Sequence, residues 1–250
     1  KNALKSWSAT SVTDRSNIML KAAQLIDDNA EMLAYAETMD KGKVLRESNG
    51  DVADIADHLR YFAGVIRADE GTISEIDSSL VSINIPEPIG VVGAIIPWNY
   101  PLLIFMWKLA PTLATGCTIV VKPAEDTPAS ILVLMEIIGK VIPKGVVNIV
   151  NGYGHEAGAA LAQSPRIDKI TFTGSSATGK LIMKNAADNI LPTTMELGGK
   201  SPNIFMPSIA DEDDAFYDKC VEGAVLFAVN QGEDCTCPSR ILVHEDIYDD

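Results

Sequence analysis

A cysteine that follows a glycine-containing turn is the side chain best suited to chemistry in this sequence. Cys235 comes after the run Asn230-Gln-Gly-Glu-Asp234 and is followed by a second thiol at Cys237. Such a turn exposes backbone N–H groups, so a thiolate could attack a carbonyl carbon while these groups hold the oxyanion. The stretch alone leaves two interpretations open, a nucleophile and a structural Cys-x-Cys pair. A metal site is disfavoured, because no third and fourth ligand stands at suitable spacing.

An amide and a carboxylate stand in two further places suited to catalysis. Asn99 lies between two prolines directly after the apolar run 89–96, where open α/β sheets bind their ligands. Glu196 lies among apolar residues and glycines. A carboxylate in such surroundings holds its proton more tightly and can serve as a general base. A purely structural role stays open for each residue. Asn99 could be a turn amide, and Glu196 could be a buried glutamate that accepts hydrogen bonds from backbone N–H groups.

A charged pair follows the second apolar run. Lys122 ends the run 118–122, and Glu125 stands three residues later. A carboxylate at that place can accept hydrogen bonds from both hydroxyls of an adenosine ribose, and the lysine could donate to the same ribose. The alternative is an exposed salt bridge, which is common and weak.

Two glycine-containing turns could bind phosphate. Gly174 lets the backbone approach a ligand, and Ser175 places a hydroxyl at a helix N-terminus, where diphosphate binds well. The stretch lacks the Gly-Lys-Ser/Thr ending of a Walker loop. The run 152–158 is Gly-x-Gly-x-x-x-Gly, one residue off the usual dinucleotide spacing, so it is a weak match.

Charge and hydropathy exclude several classes of function. The formal net charge of −14 disfavours a nucleic-acid partner and an anionic membrane surface, because few cations would neutralise phosphates. No apolar run reaches the ~18 residues of a membrane span, and no signal peptide is visible. The four cysteines lack disulfide-framework spacing. We therefore expect a cytoplasmic protein with reduced thiols. The acidic run 211–214 predicts a solvated helix start.

Hydrophobic periodicity predicts an α/β protein. Residues 1–70 are helical in pattern, with a cap near Thr13 and a helix end at Gly42, and residues 71–87 are typical of a β-ribbon. From there strands and helices alternate, which indicates a Rossmann-like doubly wound parallel sheet. The predicted strands are 89–96, 118–122, 146–150, 169–173, 193–197 and 203–206. The predicted helices are 102–113, 129–142 (with Thr127 as cap and Pro128 first), 156–163 and 177–187.

Five of these stretches together resemble the aldehyde dehydrogenase superfamily. In order they are Pro-Trp-Asn-x-Pro, Lys-Pro-Ala-Glu, Phe-Thr-Gly-Ser, Glu-Leu-Gly-Gly-Lys and Asn-Gln-Gly-x-x-Cys-x-x-x-Ser-Arg. The similarity extends through the stretches 40–43 and 60–64. The Cys-Thr-Cys-Pro-Ser-Arg ending is similar to the bacterial NAD(P)-dependent acetaldehyde dehydrogenase branch.

The resemblance implies a role for each matching residue. Cys235 would be the nucleophile, Asn99 would hold the oxyanion with the Cys235 N–H, and Glu196 would be the general base. Tyr100 and Trp107 would line the substrate tunnel, and no metal is implied. The cofactor contacts would be Ile95, Ile96, Pro97, Trp98, Lys122, Glu125, Gly152, Gly154, Phe172, Gly174, Ser175, Leu197 and Gly198.

The implied reaction is oxidation of an aldehyde to a carboxylic acid through a thiohemiacetal and a thioester. The presence of Glu196 favours hydrolysis of the thioester over its transfer to coenzyme A. The cofactor would be NAD, because Glu125 repels a 2′-phosphate, although NADP stays possible. The partners would be a small aldehyde and, in the full-length form, further copies of the chain in a dimer or tetramer.

The resemblance also implies a domain plan and two departures from the family pattern. We expect a helical part of the cofactor domain at 1–70, an oligomerisation arm at 71–87, an NAD(P)-binding domain at 88–200 and an incomplete catalytic domain at 201–250.

The family's second half is not in this sequence, so the chain is expected to be truncated and inactive alone. Asp234, next to Cys235, disfavours the thiolate. The alternative is a non-catalytic NAD-binding fragment or an inactive structural relative.

Overall fold

The chain forms two compact units in a computed structural model that describes residues 1–211 and 215–249. The first unit is Lys1–Glu196 and the second is Leu197–Asp250. Part of the predicted acidic helix start, residues 212–214, lies outside the described residues. Within the described part, no helix combines the length and the apolar character that crossing a bilayer requires.

The first unit begins with helices and continues with alternating strands and helices. Its helices are α1 (Asn2–Ser8), α2 (Val12–Asp27), α3 (Ala30–Lys41), α4 (Leu45–Val65), α5 (Pro101–Ala114), α6 (Ala129–Ile138), α7 (Ala159–Ala162) and α8 (Ser176–Ala187). Its strands are β1 (Thr72–Asp77), β2 (Leu80–Asn84), β3 (Val91–Ile95), β4 (Thr118–Lys122), β5 (Val147–Ile149), β6 (Lys169–Gly174) and β7, which begins at Thr193.

A parallel sheet forms the centre of the first unit. Within the described residues its strand order is β5-β4-β3-β6-β7. The chain moves outward from β3 through β4 to β5 and then returns to the other side of β3 with β6. The register pairs Ile95 with Lys122 on one side and with Phe172 on the other, both in parallel. The topological switch point therefore lies between β3 and β6, where doubly wound folds bind ligands.

Helices cover both faces of this sheet. Alternate residues of β3 point to opposite faces, so Val92 and Ala94 join the core beneath α2, α4, α5 and α6. Val91 and Ile95 join a second cluster that includes Ile182 of α8. This arrangement confirms the predicted Rossmann-like α/β class with N-terminal helices.

Two predicted helix caps are wrong. Ser11 caps α2, because its hydroxyl accepts the N–H of Asp14 at 3.1 Å, while Thr13 lies inside the helix. Thr127 does not cap α6, since its hydroxyl donates to the Trp98 carbonyl at 3.4 Å. The first turn of α6 is capped from a distant helix, because the Asp40 carboxylate accepts the Ser130 N–H at 3.0 Å.

Of three predicted helix bounds, the structure confirms one and corrects two. The predicted end of α3 at Gly42 is confirmed, with the glycine in the left-handed region at φ 82°. The helix predicted at 129–142 ends earlier, at Ile138, where Gly139 follows and favours termination. The helix predicted at 156–163 is a π-helical turn, Gly154–Gly158, followed by the short α7.

The predicted β-ribbon is confirmed, and it is exposed along its whole length. β1 and β2 pair in antiparallel fashion, with Ile73 opposite Ile83. Both isoleucines are well over half exposed, and so is Ile85 beyond the second strand. Apolar exposure of this kind marks an interaction surface when it is contiguous.

The second unit contains a strand–helix–strand element. β7 ends in it at Leu197, and β8 (Pro202–Phe205) pairs in parallel with β9 (Arg240–Val243). The helix α9 (Ala215–Ala224) and a 3-10 segment (Leu226–Gly232) lie between the two strands in the chain. This is the α/β element predicted for the start of a second domain.

Candidate active site

Three strands of the first unit end side by side at the switch point. The register sets Ile95 of β3 between Lys122 of β4 and Phe172 of β6. Ile96 continues β3 by donating its N–H to the Lys122 carbonyl at 3.0 Å. The structure therefore brings together predicted cofactor residues from three separate stretches of the sequence, at the edge where such sheets bind nucleotides.

Lys122 and Glu125 form a pair beyond the end of β4. The Lys122 ammonium is buried and lies 2.5 Å from Oε2 of Glu125, while the other carboxylate oxygen accepts the Gly154 N–H at 3.4 Å. The hydrogen bond from Lys122 is the largest cause of a lowered pKa for Glu125. The carboxylate is thus ionised and partly open to solvent, as an acceptor for ligand hydroxyls must be.

The glycine run 152–158 packs against these strand ends. Gly152 has φ 151°, a backbone conformation that residues other than glycine rarely adopt. A Cβ at Gly158 would lie 3.9 Å from Ile95 Cδ1 and 4.0 Å from Lys122 Cδ, whereas one at Gly154 would meet nothing within 4 Å. The turn therefore contacts the sheet through Gly158 and leaves open space at Gly154.

The turn after β6 has the predicted geometry. Ser175 is the N-cap of α8: its hydroxyl accepts the Thr178 N–H at 3.2 Å and donates to the Thr178 hydroxyl at 2.9 Å. A Cβ at Gly174 would come within 2.5 Å of the Phe172 ring, so the glycine permits the close approach. The exposed start of α8 presents backbone N–H groups suited to an anion.

The predicted oxyanion amide lies in the loop between β3 and α5. Pro97 and Asn99 are partly buried there, and the Trp98 side chain is close to half exposed. The Tyr100 ring lies against the ammonium of Lys43, 3.7 Å from the ring centroid. The loop is therefore anchored to the end of α3, which sequence reasoning did not anticipate.

Trp107 and Glu196 line the same open cleft, whose volume is about 520 Å³. The apolar enclosure expected for Glu196 is wrong, because its side chain is exposed. The reason is topological: β7, which carries it, is the edge strand of the five described strands. Trp107 is exposed in the same cleft.

Lys108 is a residue of this cleft that sequence reasoning missed. Its ammonium is buried and donates to the Thr171 hydroxyl at 3.1 Å. Desolvation lowers the pKa of Lys108 to about 8, and the charge of Glu196 opposes that shift. The available signal was that Lys108 is the one charged residue in the apolar sequence of α5.

In the second unit, a left-handed turn precedes Cys235. Asn230, Gln231 and Gly232 have φ values of 48°, 61° and 75° in succession. Asn230 is buried, and its side-chain amide donates to the Glu233 carbonyl at 3.1 Å. Asparagine tolerates this conformation, but glutamine does so at a cost, and such strain concentrates at functional turns. Cys235 is exposed after this turn.

The two neighbouring thiols have different surroundings. The Cys237 thiol is half-buried and donates to the Leu226 carbonyl, with 3.0 Å between sulfur and oxygen. Asp234 accepts the N–H and the hydroxyl of Thr236, both at 2.7 Å. The carboxylate beside the exposed Cys235 therefore forms a local hydrogen-bonded turn with Thr236.

Two predicted motifs meet within the second unit. Arg240 Nε donates to the Lys200 carbonyl at 3.0 Å. A Cβ built at Gly199 would lie 3.7 Å from the Cys235 carbonyl oxygen. The glycine stretch that begins with Leu197 and Gly198 therefore runs beside the cysteine loop. Among the described residues, no group of three His, Cys, Asp or Glu side chains is arranged to hold a metal ion.

Known proteins match the whole of this chain. The profile described as "Aldehyde dehydrogenase family" matches residues 1–250. An aldehyde dehydrogenase of Vibrio cholerae is 61% identical over 249 residues, which are 99% of this chain and 49% of that protein. The acetaldehyde dehydrogenase 2 of Cupriavidus necator is 57% identical over 248 residues, again 99% and 49%.

Solved structures agree with the sequence relatives. PnpE from Pseudomonas sp. WBC-3 superposes with a TM-score of 0.93 at 42% identity, over 99% of this chain and 50% of that one. An NAD+ complex of the Bacillus cereus aldehyde dehydrogenase superposes with a TM-score of 0.91 at 41% identity, over 97% and 49%. The chain spans about half the length of the curated relatives it matches. Because the family match covers every residue, this chain belongs to the aldehyde dehydrogenase family.

Proposed function

We propose that this chain carries the NAD-binding unit and the cysteine loop of an enzyme that oxidises an aldehyde to a carboxylic acid. The observation that carries the proposal is the Lys122–Glu125 pair beside the switch point, with Gly154 bonded to the same carboxylate. Family membership and the names of the relatives support the reaction class. The relatives are about twice as long, so the activity is proposed for a form extended to their length, called here the extended form.

The residues at the switch point fit an adenosine diphosphate group. The ionised Glu125 would accept both ribose hydroxyls, Lys122 would donate to the same ribose, and the open space at Gly154 leaves room for it. The exposed start of α8, after Gly174 and Ser175, would bind the diphosphate. A 2′-phosphate would meet the Glu125 carboxylate, so NAD is favoured over NADP. The NAD+ complex of a structural relative supports a nicotinamide dinucleotide at this site.

The chemical roles follow from the side chains. The Cys235 thiolate attacks the aldehyde carbon and forms a thiohemiacetal, whose oxyanion accepts hydrogen bonds from the Asn99 amide and the Cys235 N–H. When bound, NAD+ supplies the hydride acceptor. Loss of hydride from that carbon leaves a thioester on Cys235. Glu196 then takes a proton from water, whose hydroxide adds to the thioester and releases the carboxylic acid and the thiolate.

Lys108 is proposed to support this hydrolysis. Its ammonium lies in the cleft that contains Glu196, and the two charges interact. The two opposite charges attract, so Lys108 orients the carboxylate that accepts the proton. Glu196 is exposed in this cleft, so water reaches it directly.

A second candidate is a chain that binds NAD and performs no turnover. It is favoured by the coverage of only half of each relative. Titration calorimetry with NAD+ on this chain, and acetaldehyde oxidation by the extended form, separate the candidates. We expect binding in both forms and NADH production in the extended form. Binding without turnover in the extended form would retire the enzyme proposal, and absence of binding in both would retire the NAD site.

A further inference from the structure

A buried polar cluster beneath the Asn99 loop has no part in the proposed reaction. It consists of Glu37, Asp40, Lys43 and Asp51, at the end of α3 and in α4, and is called here the α3-end cluster. Glu37, Lys43 and Asp51 are all buried. Charged groups are rarely enclosed in this way unless pairing or function retains them. The sequence 40–43 is also one of the stretches that carries the family resemblance.

Lys43 is the centre of this cluster. Its side chain is 1% exposed, and its ammonium bonds to the Asp51 carboxylate. The same ammonium lies 3.7 Å from the centroid of the Tyr100 ring. A cation over an aromatic face is held more strongly when water is excluded. Lys43 therefore attaches α4, through Asp51, to the residue that follows Asn99.

The residue before Asn99 is held from the same side. The Lys41 ammonium lies 5.3 Å from the centroid of the Trp98 ring, and the Trp98 carbonyl accepts the Thr127 hydroxyl at 3.4 Å. Lys41 and Lys43 stand on either side of Gly42, whose left-handed backbone ends α3. One short segment thus contacts the aromatic rings on both sides of the amide.

Glu37 joins the cluster to the start of α5. Its carboxyl lies beside the Leu102 N–H and the Ser130 hydroxyl, without forming a well-aligned hydrogen bond to either. Leu102 lies three residues after Asn99 in the chain. The cluster therefore adjoins the loop, the first turn of α5 and, through Asp40, the first turn of α6.

We infer that Lys43 is a positioning residue for the reaction. Held by Asp51, it fixes the Tyr100 ring and thereby the loop that carries the Asn99 amide. This inference rests on the proposed oxyanion role of Asn99. Loss of Lys43 would loosen the loop and lower kcat, because a small misplacement of a catalytic donor slows the reaction strongly. The Lys122–Glu125 pair lies outside the cluster, so its contribution to NAD affinity would be retained.

Fluorescence quenching by iodide tests the loop directly in this chain. Trp7 is buried, so in a Trp107→Phe background Trp98 is the exposed indole that iodide reaches. The test variants are Lys43→Met with Asp51→Asn, which removes both charges of the ion pair, and Tyr100→Leu, which keeps the ion pair. The control is Lys21→Met, on the exposed side of α2. We expect each of the two test variants to raise the iodide quenching constant of Trp98 about twofold. Lys43→Arg keeps the cation, so its quenching constant should equal that of the wild type.

Kinetics of the extended form tests the consequence for catalysis. We expect Lys43→Met with Asp51→Asn to lower kcat about tenfold and to change the dissociation constant for NAD+ much less than kcat. In an Asn99→Ala background the same pair should change kcat little further, since coupled residues are not additive. If Asn99→Ala keeps full turnover, the proposed function fails. If Asn99→Ala loses turnover but the Lys43 variant does not, or if Trp98 quenching is unchanged in both test variants, the inference fails and the proposed function stands.

Discussion

The Nζ atom of Lys122 lies 2.5 Å from Oε2 of Glu125, and this pair occupies the carboxyl end of β4 next to the switch point of the sheet. A buried ammonium thereby holds an ionised carboxylate that is itself partly exposed. The arrangement orients the carboxylate without neutralising its capacity to accept further hydrogen bonds. Ligand selectivity at this edge should therefore depend on Glu125.

Glu125→Gln should weaken NAD+ binding about tenfold and reduce the preference over NADP+. A neutral amide replaces a charged acceptor, whose hydrogen bonds are worth about 1.5–3 kcal/mol, and it no longer repels a 2′-phosphate. Titration calorimetry of this chain with both nucleotides measures the two constants. Glu136→Gln, on the exposed side of α6, is the matched control. Unchanged constants for Glu125→Gln would contradict the ribose assignment.

Glu196→Gln in the extended form should uncouple the two halves of the reaction. An amide cannot accept the proton of the attacking water, so the thioester would accumulate after one hydride transfer. Rapid-mixing absorbance should record a burst of NADH equal to the enzyme concentration, followed by a steady rate at least about 100-fold below wild type. Thr194→Val, which changes another residue of the same cleft, should keep the steady rate. Normal turnover of Glu196→Gln would exclude Glu196 as the base.

The exposed ribbon should mediate association of copies of the extended form. Ile73 and Ile83 lie opposite each other on one face, with Ser74 and Ser82 opposite each other on the reverse face. Ile73→Lys with Ile83→Lys should lower the mass measured by light scattering, because charge replaces the apolar contact. Ser74→Lys with Ser82→Lys adds the same charge on the reverse face and should leave the mass unchanged. Equal masses for both pairs would remove the ribbon from the interface.

The stability of the chain should fall as pH rises because of Glu37. Desolvation raises the pKa of Glu37 from 4.5 to about 7, against the effects of the Ser130 hydroxyl and Lys43. The folded state then binds more protons than the unfolded state between these values. Stability from this group is therefore greatest below pH 4.5 and is lost as pH rises through about 7.

Urea unfolding at pH 5.5 and pH 8 measures this effect. From pH 5.5 to pH 8, the free energy of unfolding of the wild type should fall by about 2 kcal/mol more than that of Glu37→Gln. Glu31→Gln, an exposed change on the same helix, should follow wild type. If Glu37→Gln shows the same pH dependence as wild type, Glu37 is ionised throughout and the burial argument is wrong.

The order of elements was predictable, whereas contacts between distant segments were not. Apolar runs separated by helical patterns indicate a doubly wound sheet, and loops after such strands are ligand sites by topology. The cap of α6 comes from Asp40, ninety positions earlier, which no local pattern indicates. Ser11 and Thr13 are both plausible caps, and the backbone turn selects Ser11.

For the catalytic candidates too, the sequence indicates which residues stand in motifs but not how tertiary packing surrounds them. Cys235, Asn99 and Glu196 stand in motifs with local signatures, so the sequence alone is enough to propose them. The burial of Glu196 depends on whether its strand is an edge, which strand order decides. Lys108 and Lys43 were missed because a lysine on a helix or in a loop is usually solvated, and their burial is set by tertiary packing.

In the proposed reaction the exposed Cys235, and not the half-buried Cys237, attacks the aldehyde. Peptide mass mapping of the Glu196→Gln extended form, after reaction with NAD+ and acetaldehyde, tests this directly, with Cys235→Ala and Cys237→Ala as partner variants. We predict an acetyl group on Cys235, in an amount equal to that of the NADH formed. The acetyl group should be absent in Cys235→Ala and present in Cys237→Ala. The dissociation constant for NAD+ should be the same in all of these variants. An acetyl group on Cys237, or turnover by Cys235→Ala, would contradict the account.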